Sequence, residues 1–175
     1  MAILDIRRHA ERMNLADSSS ALSAAGRGMC ERLATSQPKY ALVLSSPLPR
    51  AKETAQRIAG RLDGVEPGLL PDIGGSGMFP EMRTLADYAR LLRETEGVRA
   101  FAEEQIPVWA RIASRVGDRD RVLAVSHGGL IDMPAILIAE RLGAKLEGAS
   151  FGYGEGVRVT YAKGAPTKIE ALRVG

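Results

Sequence analysis

Short apolar runs alternate along this chain with longer stretches whose apolar residues recur every three or four positions. The short runs at residues 3–7, 41–45 and 121–126 are rich in Ile, Leu and Val and read as strands. The stretch LSAAGRGMCERLATS has Ser23 as an N-cap, with Leu22, Ala25, Met29 and Leu33 at helical intervals. SPLPRAKETAQRIAGRL carries its prolines early, where a first helical turn tolerates them, and is expected to close near Gly64. Residues 84–96 and 98–116 read as two more helices, the second interrupted or kinked at Pro107. A helix over 130–142 ends at Gly143, and GVRVTYA and KIEALRV close the chain as a pair of strands.

Strands alternating with helices predict an α/β fold, a three-layer α/β/α arrangement around a mostly parallel sheet. The Pro- and Gly-rich stretch 67–80, holding GGSG, reads as a mobile loop. No composition shift marks a boundary, so residues 1–175 are expected to form a single domain.

Composition narrows the class. Hydrophobic residues make up 45% and charged residues 26%, the profile of a soluble globular protein with no span of about 18 apolar residues. The N-terminus lacks a basic-then-apolar leader, and the single cysteine, Cys30, excludes an internal disulfide; both favour the cytoplasm. Cys30 lies in a helical stretch and reads as a small core residue, and Trp109, on a helix with apolar neighbours, reads as a core residue with an interface as the alternative. The net charge is +3, and the 24 basic residues are scattered. That pattern predicts neither a nucleic-acid partner nor a membrane surface, although small anions would be attracted.

The chemistry gathers at strand ends. In open α/β sheets ligands bind beyond the carboxyl ends of the strands. Three predicted ends carry polar signatures: Arg8-His9-Ala10-Glu11, SSPLPRAKET, and SHGG at 126–129. The chain's two histidines, His9 and His127, both fall there, each followed by a small residue. One such histidine is adequately explained as a strand cap; two, with arginines at two of the ends, suggest a site. The planar fork of arginine matches phosphate oxygens, which makes Arg8 and Arg50 a phosphate clamp. Arg7 faces the opposite side of a strand and is expected to be structural. A histidine attacks phosphorus only when neutral, and nearby arginines disfavour its protonation. His127 is placed to donate to the same oxygens as charge builds. No HExxH or CxxC spacing, P-loop or GxSxG elbow competes, so no metal is expected.

RHAE, LSSPLPRAKETA and VSHGG, in that order over residues 3–129, resemble the histidine phosphatase superfamily, the phosphoglycerate mutase-like and broad-specificity acid phosphatases. The resemblance implies a phosphoglycerate mutase-like fold, His9 as phospho-acceptor, Arg8, Arg50 and His127 on the phosphate, and no cofactor. The family's RHGExxxN pattern often places its asparagine on phosphate; here Asn14 comes one position early. Its general acid commonly precedes a GxWEG stretch. This chain has LPDIGGSGMFPEM, with Asp72 at the corresponding place, Glu81 as competitor, and no tryptophan nearby. Glu11 reads as a residue that orients the site. The short specificity region favours a phosphatase over a mutase, acting on a small phosphorylated metabolite or, as in the branch that serves signalling proteins, a phosphoprotein. Mutase-type phosphoryl transfer and a non-catalytic phosphate-binding regulatory domain are the alternatives.

Overall fold

The computed structural model describes residues 1–70 and 82–175. A six-stranded sheet runs in the order β3-β2-β4-β1-β5-β6. Its strands are β1 (Ala2–Arg8), β2 (Leu42–Ser45), β3 (Gly64–Val65), β4 (Arg121–Ser126), β5 (Gly156–Ala162) and β6 (Ala165–Leu172). Pairings from β3 to β1 are parallel, whereas β1–β5 and β5–β6 are antiparallel. The helices are α1 (Ala24–Ala34), α2 (Pro49–Ala59), α3 (Leu85–Glu94), α4 (Glu96–Ala113) and α5 (Asp132–Leu142).

Side-chain alternation along the strands divides the core into two layers. Leu4 and Ile6 of β1, with Val122 and Ala124 of β4, pack against α3, α4 and α5. Leu123 and Val125 point the other way and meet Cys30, Leu33, Ala51, Ala55 and Ile58 of α1 and α2. The expected three layers are therefore present. Cys30 and Trp109 are both core residues, and burial pushes the Cys30 thiol up to about 11.

Caps match the local sequence signals. Ser23 accepts from Gly26 N at 3.0 Å and opens α1, while Pro49 stands at the start of α2. That helix ends at Gly60 (φ 73°), before the expected Gly64, because a left-handed residue stops the ladder. Gly64 instead enters the edge strand β3, which the sequence pattern missed because it is only two residues long. α4 runs unbroken through Pro107, where an interruption or kink was expected.

The loop expected over 67–80 is corrected at its start. Pro67–Leu69 forms a 3₁₀ turn capped by the Glu66 carboxylate. Leu69 is buried in the core, and its carbonyl accepts from Ser126 Oγ at 2.8 Å. One apolar anchor at Leu69 is enough to fix this part of a Gly/Pro-rich stretch. Asp72 and Glu81, the two candidates for proton donor, lie outside the described residues.

Within the sheet, a charge that periodicity treats as a strand interruption is satisfied by pairing. Asp5 is fully buried and receives both Arg158 Nε (2.7 Å) and Arg158 NH2 (2.8 Å), with the Tyr40 hydroxyl at 3.0 Å. Among the described residues no helix is long and apolar enough to cross a membrane.

Candidate active site

Because β2, β4 and β1 are parallel neighbours, their carboxyl ends open on the same edge of the sheet. Arg8 pairs with Ser126 in register, and His9 N donates to Ser126 O at 2.9 Å. This topology brings together residues more than a hundred positions apart. His9 and His127 have ring centroids 5.2 Å apart. Arg50, in the first turn of α2, reaches both rings: its Nε donates to His9 Nε2 at 3.1 Å, and NH2 lies 3.5 Å from His127 Nδ1. Its NH1 donates to Ser18 O at 2.6 Å. A cavity of about 400 Å³ opens over these groups.

The hydrogen bonds settle the His9 tautomer. An arginine N–H aimed at Nε2 requires a lone pair there, so the proton resides on Nδ1 and is donated to Ala10 O at 2.7 Å. Nε2 is thus presented to the cavity as a base with a fixed ring orientation. His127 Nε2 shares a 2.7 Å hydrogen bond with Ser46 Oγ.

The alternation expected of β1 separates its two arginines. Arg7 turns away from the cavity and donates to Gly154 O at 2.7 Å. Arg8 turns into the cavity, donates to Phe151 O at 3.1 Å, and lies 4.6 Å from the Tyr153 ring centroid. Its Nε is buried with no hydrogen-bond partner among the described residues. The glycine after His127 has a steric reason. A Cβ on Gly128 would stand 2.9 Å from Arg8 Cζ, so the guanidinium lies against bare backbone. Gly129 then adopts φ +76°, which turns the chain into α5.

Several supporting residues escaped the sequence reading. Thr54 Oγ1 accepts from Ala10 N (3.0 Å) and donates to Arg50 O (2.7 Å), coupling the first two motifs. Asp132, fully buried, accepts from Gly129 N at 2.8 Å and Phe151 N at 2.9 Å. It ties the turn after His127 to the loop that receives Arg8. Nothing local distinguishes Asp132 from an ordinary first-turn helical acid. Ser46 did carry a signal, since it lies within the SSP stretch at a strand end. Asn14 bonds Ala16 N in its own exposed loop and does not line the cavity. Glu11 accepts from Ser23 Oγ at 2.6 Å and acts on the start of α1.

Both histidines are held neutral. Burial is the main cause for His9, which falls to about 3, with the charges of Arg50 and Arg8 adding to it. His127 falls to about 2, again chiefly by burial, followed by His9 and Arg50. Desolvation therefore outranks the arginine effect that the sequence alone suggests. Arg50 is lowered to about 10 by burial and then by Arg12, and so remains charged at neutral pH.

A stability prediction follows from the sign of these shifts. Below pH 6.5 an unfolded histidine takes up a proton that the folded one refuses, so stability falls as pH drops. At pH 5 each histidine costs about 2 kcal/mol relative to pH 8. The carboxylates with lowered values titrate below this window in the unfolded state, and Asp132, raised by burial, acts in the opposite sense. Urea unfolding of the ligand-free protein at pH 7.5, 6.5 and 5 tests the slope; a flat response would contradict two buried neutral histidines.

The chain is similar to known proteins in part of its sequence and in its fold. Residues 6–74, which include Arg8, His9 and Arg50, match the family model of the histidine phosphatase superfamily (branch 1). Among curated protein sequences none matches the chain. Solved structures that share the fold include a phosphoserine phosphatase of Entamoeba histolytica in complex with 3-phosphoglyceric acid. It has 18% identity and a TM-score of 0.72, with 99% of this chain and 98% of that one covered. A putative alpha-ribazole-5′-P phosphatase of Escherichia coli has 20% identity and a TM-score of 0.65, with 99% and 98% covered. A phosphoglycerate mutase of Bacillus anthracis has 17% identity and a TM-score of 0.66, with 98% and 92% covered. The architecture is thus phosphoglycerate mutase-like along the whole chain, and the stretch 6–74, which carries the first two motifs, is similar to the histidine phosphatase superfamily (branch 1).

Proposed function

We propose that this chain is a metal-independent phosphatase that hydrolyses phosphomonoesters through a phosphohistidine on His9, within one domain spanning residues 1–175. The observation that carries the reading is a neutral His9 whose Nε2 lone pair faces a cavity lined by Arg8, Arg50 and His127.

In this reading the phosphoryl group displaces the Arg50 N–H from Nε2. Arg8 and Arg50 take the non-bridging oxygens, so Arg50 NH2 leaves His127 Nδ1 as well; the Ser46 hydroxyl then donates to His127 Nε2, and Nδ1–H serves a third oxygen. The Nε2 lone pair forms the N–P bond as the P–O ester bond breaks, and Ala10 O stabilises the charge that develops on the ring. The departing oxygen takes a proton from a carboxylic acid, Asp72 or Glu81. Water then attacks phosphorus and returns a proton to that carboxylate, and the N–P bond breaks to release phosphate. Guanidinium and imidazole N–H groups supply the charge stabilisation, so the chemistry calls on no metal ion. Structures of this fold include enzymes named for small phosphorylated metabolites. A small phosphorylated metabolite is accordingly the favoured substrate over a phosphoprotein, and the cytoplasm the expected location.

Hydrolysis of p-nitrophenyl phosphate is the direct test. Turnover should be inhibited by vanadate, indifferent to EDTA, and accompanied by an acid-labile, base-stable phosphoenzyme. Dependence on added metal, or tight phosphate binding without turnover, would overturn the reading. Isomerisation of a monophosphate stimulated by a bisphosphate primer would assign the same site to a mutase.

A further inference from the structure

Arg12 also lines the cavity, and neither the clamp nor the scaffold uses it. Among the described residues its guanidinium has no hydrogen bond and no ion pair, whereas Arg7, Arg8 and Arg50 are each anchored to a backbone carbonyl. Asp17 feels its charge but pairs with Ser19 instead.

Its backbone, by contrast, is firmly held. Arg12 bridges Leu22, and Glu11 O accepts from Ser23 N at 2.9 Å. Gly26 passes so close that a Cβ there would lie 2.2 Å from Glu11 O. The chain thus builds a rigid ridge and mounts on it a cation that no described residue pairs, facing two others. Repulsion is felt, since Arg12 is the largest charge contribution to the lowered Arg50 value. The one carboxylate among the cavity's described lining residues, Asp132, has both oxygens occupied by backbone N–H groups.

Three guanidiniums exceed what one phosphoryl group needs, and about 400 Å³ exceeds the space it fills. The cavity's other described lining residues include Arg12, Leu15, Met82, Tyr88 and Tyr153, so there is room beside the phosphoryl group for a leaving group. We propose that Arg12 binds a second anionic group on that leaving group, a carboxylate or a second phosphate, and so selects phosphomonoesters of acidic alcohols over neutral ones. The inference rests on the phosphatase reading for the word "leaving group" alone; the binding it asserts does not require turnover.

Titration calorimetry with phenylphosphonate, its 2-, 3- and 4-carboxy derivatives, and a phenylene bisphosphonate tests it. Wild type should bind the best carboxy isomer or the bisphosphonate about tenfold or more tightly than phenylphosphonate. The better of the two arms names the second group. Arg12→Gln should bring that ratio to near one, and Arg12→Lys should keep part of it. No preference in wild type, or a ratio unchanged in Arg12→Gln, overturns the proposal. Because the ratio is read without catalysis, a protein that binds with this preference yet hydrolyses nothing overturns the phosphatase reading alone. Absence of binding by every phosphonate overturns both.

Discussion

His9→Ala is expected to reduce p-nitrophenyl phosphate hydrolysis by at least on the order of 10³-fold and to abolish the phosphoenzyme. The size follows from the role. Among the described residues that line the cavity the only other imidazole is His127, and its Nε2 is occupied by Ser46 Oγ at 2.7 Å. The variant retains Arg8, Arg50 and His127, so inorganic phosphate should still raise its melting temperature, which separates lost chemistry from lost folding. It should also lose about half of the destabilisation between pH 7.5 and 5, because one of the two buried neutral histidines is gone. Equal activity in variant and wild type would sink the covalent mechanism.

Arg50→Ala is the second large effect, with kcat/KM expected to fall by about 10²- to 10³-fold. One guanidinium here joins Ser18 O, His9 Nε2 and His127 Nδ1, across three segments of the chain. Arg50→Lys should recover little, since a point charge on a flexible stem cannot span both rings. The His9 titration offers a control. Burial is the main cause of its low value and Arg50 a lesser one, so removing Arg50 should raise it only modestly, leaving it well below 6.5. Near-wild-type rates in Arg50→Lys would mean that charge alone suffices and that the fork geometry is immaterial.

Arg8 and Arg7 show why part of this site was legible from sequence. Adjacent strand residues point to opposite faces, so one of the two had to leave the cavity, and the motif order indicated which. The same logic found His127, because a polar residue closing an apolar strand run announces a strand end. Asp132, Thr54 and Arg12 gave no such signal. Each matters through a partner distant in sequence: Asp132 through Phe151, Thr54 through Ala10, and Arg12 through a cavity assembled from separate loops. Local pattern has no term for such contacts. The order of causes behind the neutral histidines was hidden for the same reason, since burial belongs to the assembled fold.

By itself, the sequence determined the alternation of strands and helices, the two-sided core, and the three strand ends where polar residues gather. Those properties depend on periodicity and on side-chain chemistry, which are local. Tertiary structure decided that the three ends are neighbours, because strand order β2-β4-β1 is set by crossovers and packing. It also decided which nitrogen of His9 holds the proton, since that depends on Ala10 O and Arg50 meeting the same ring. And it left Arg12 on a rigid ridge without a hydrogen bond or ion pair among the described residues, a fact visible only once every other described cavity arginine had found its carbonyl.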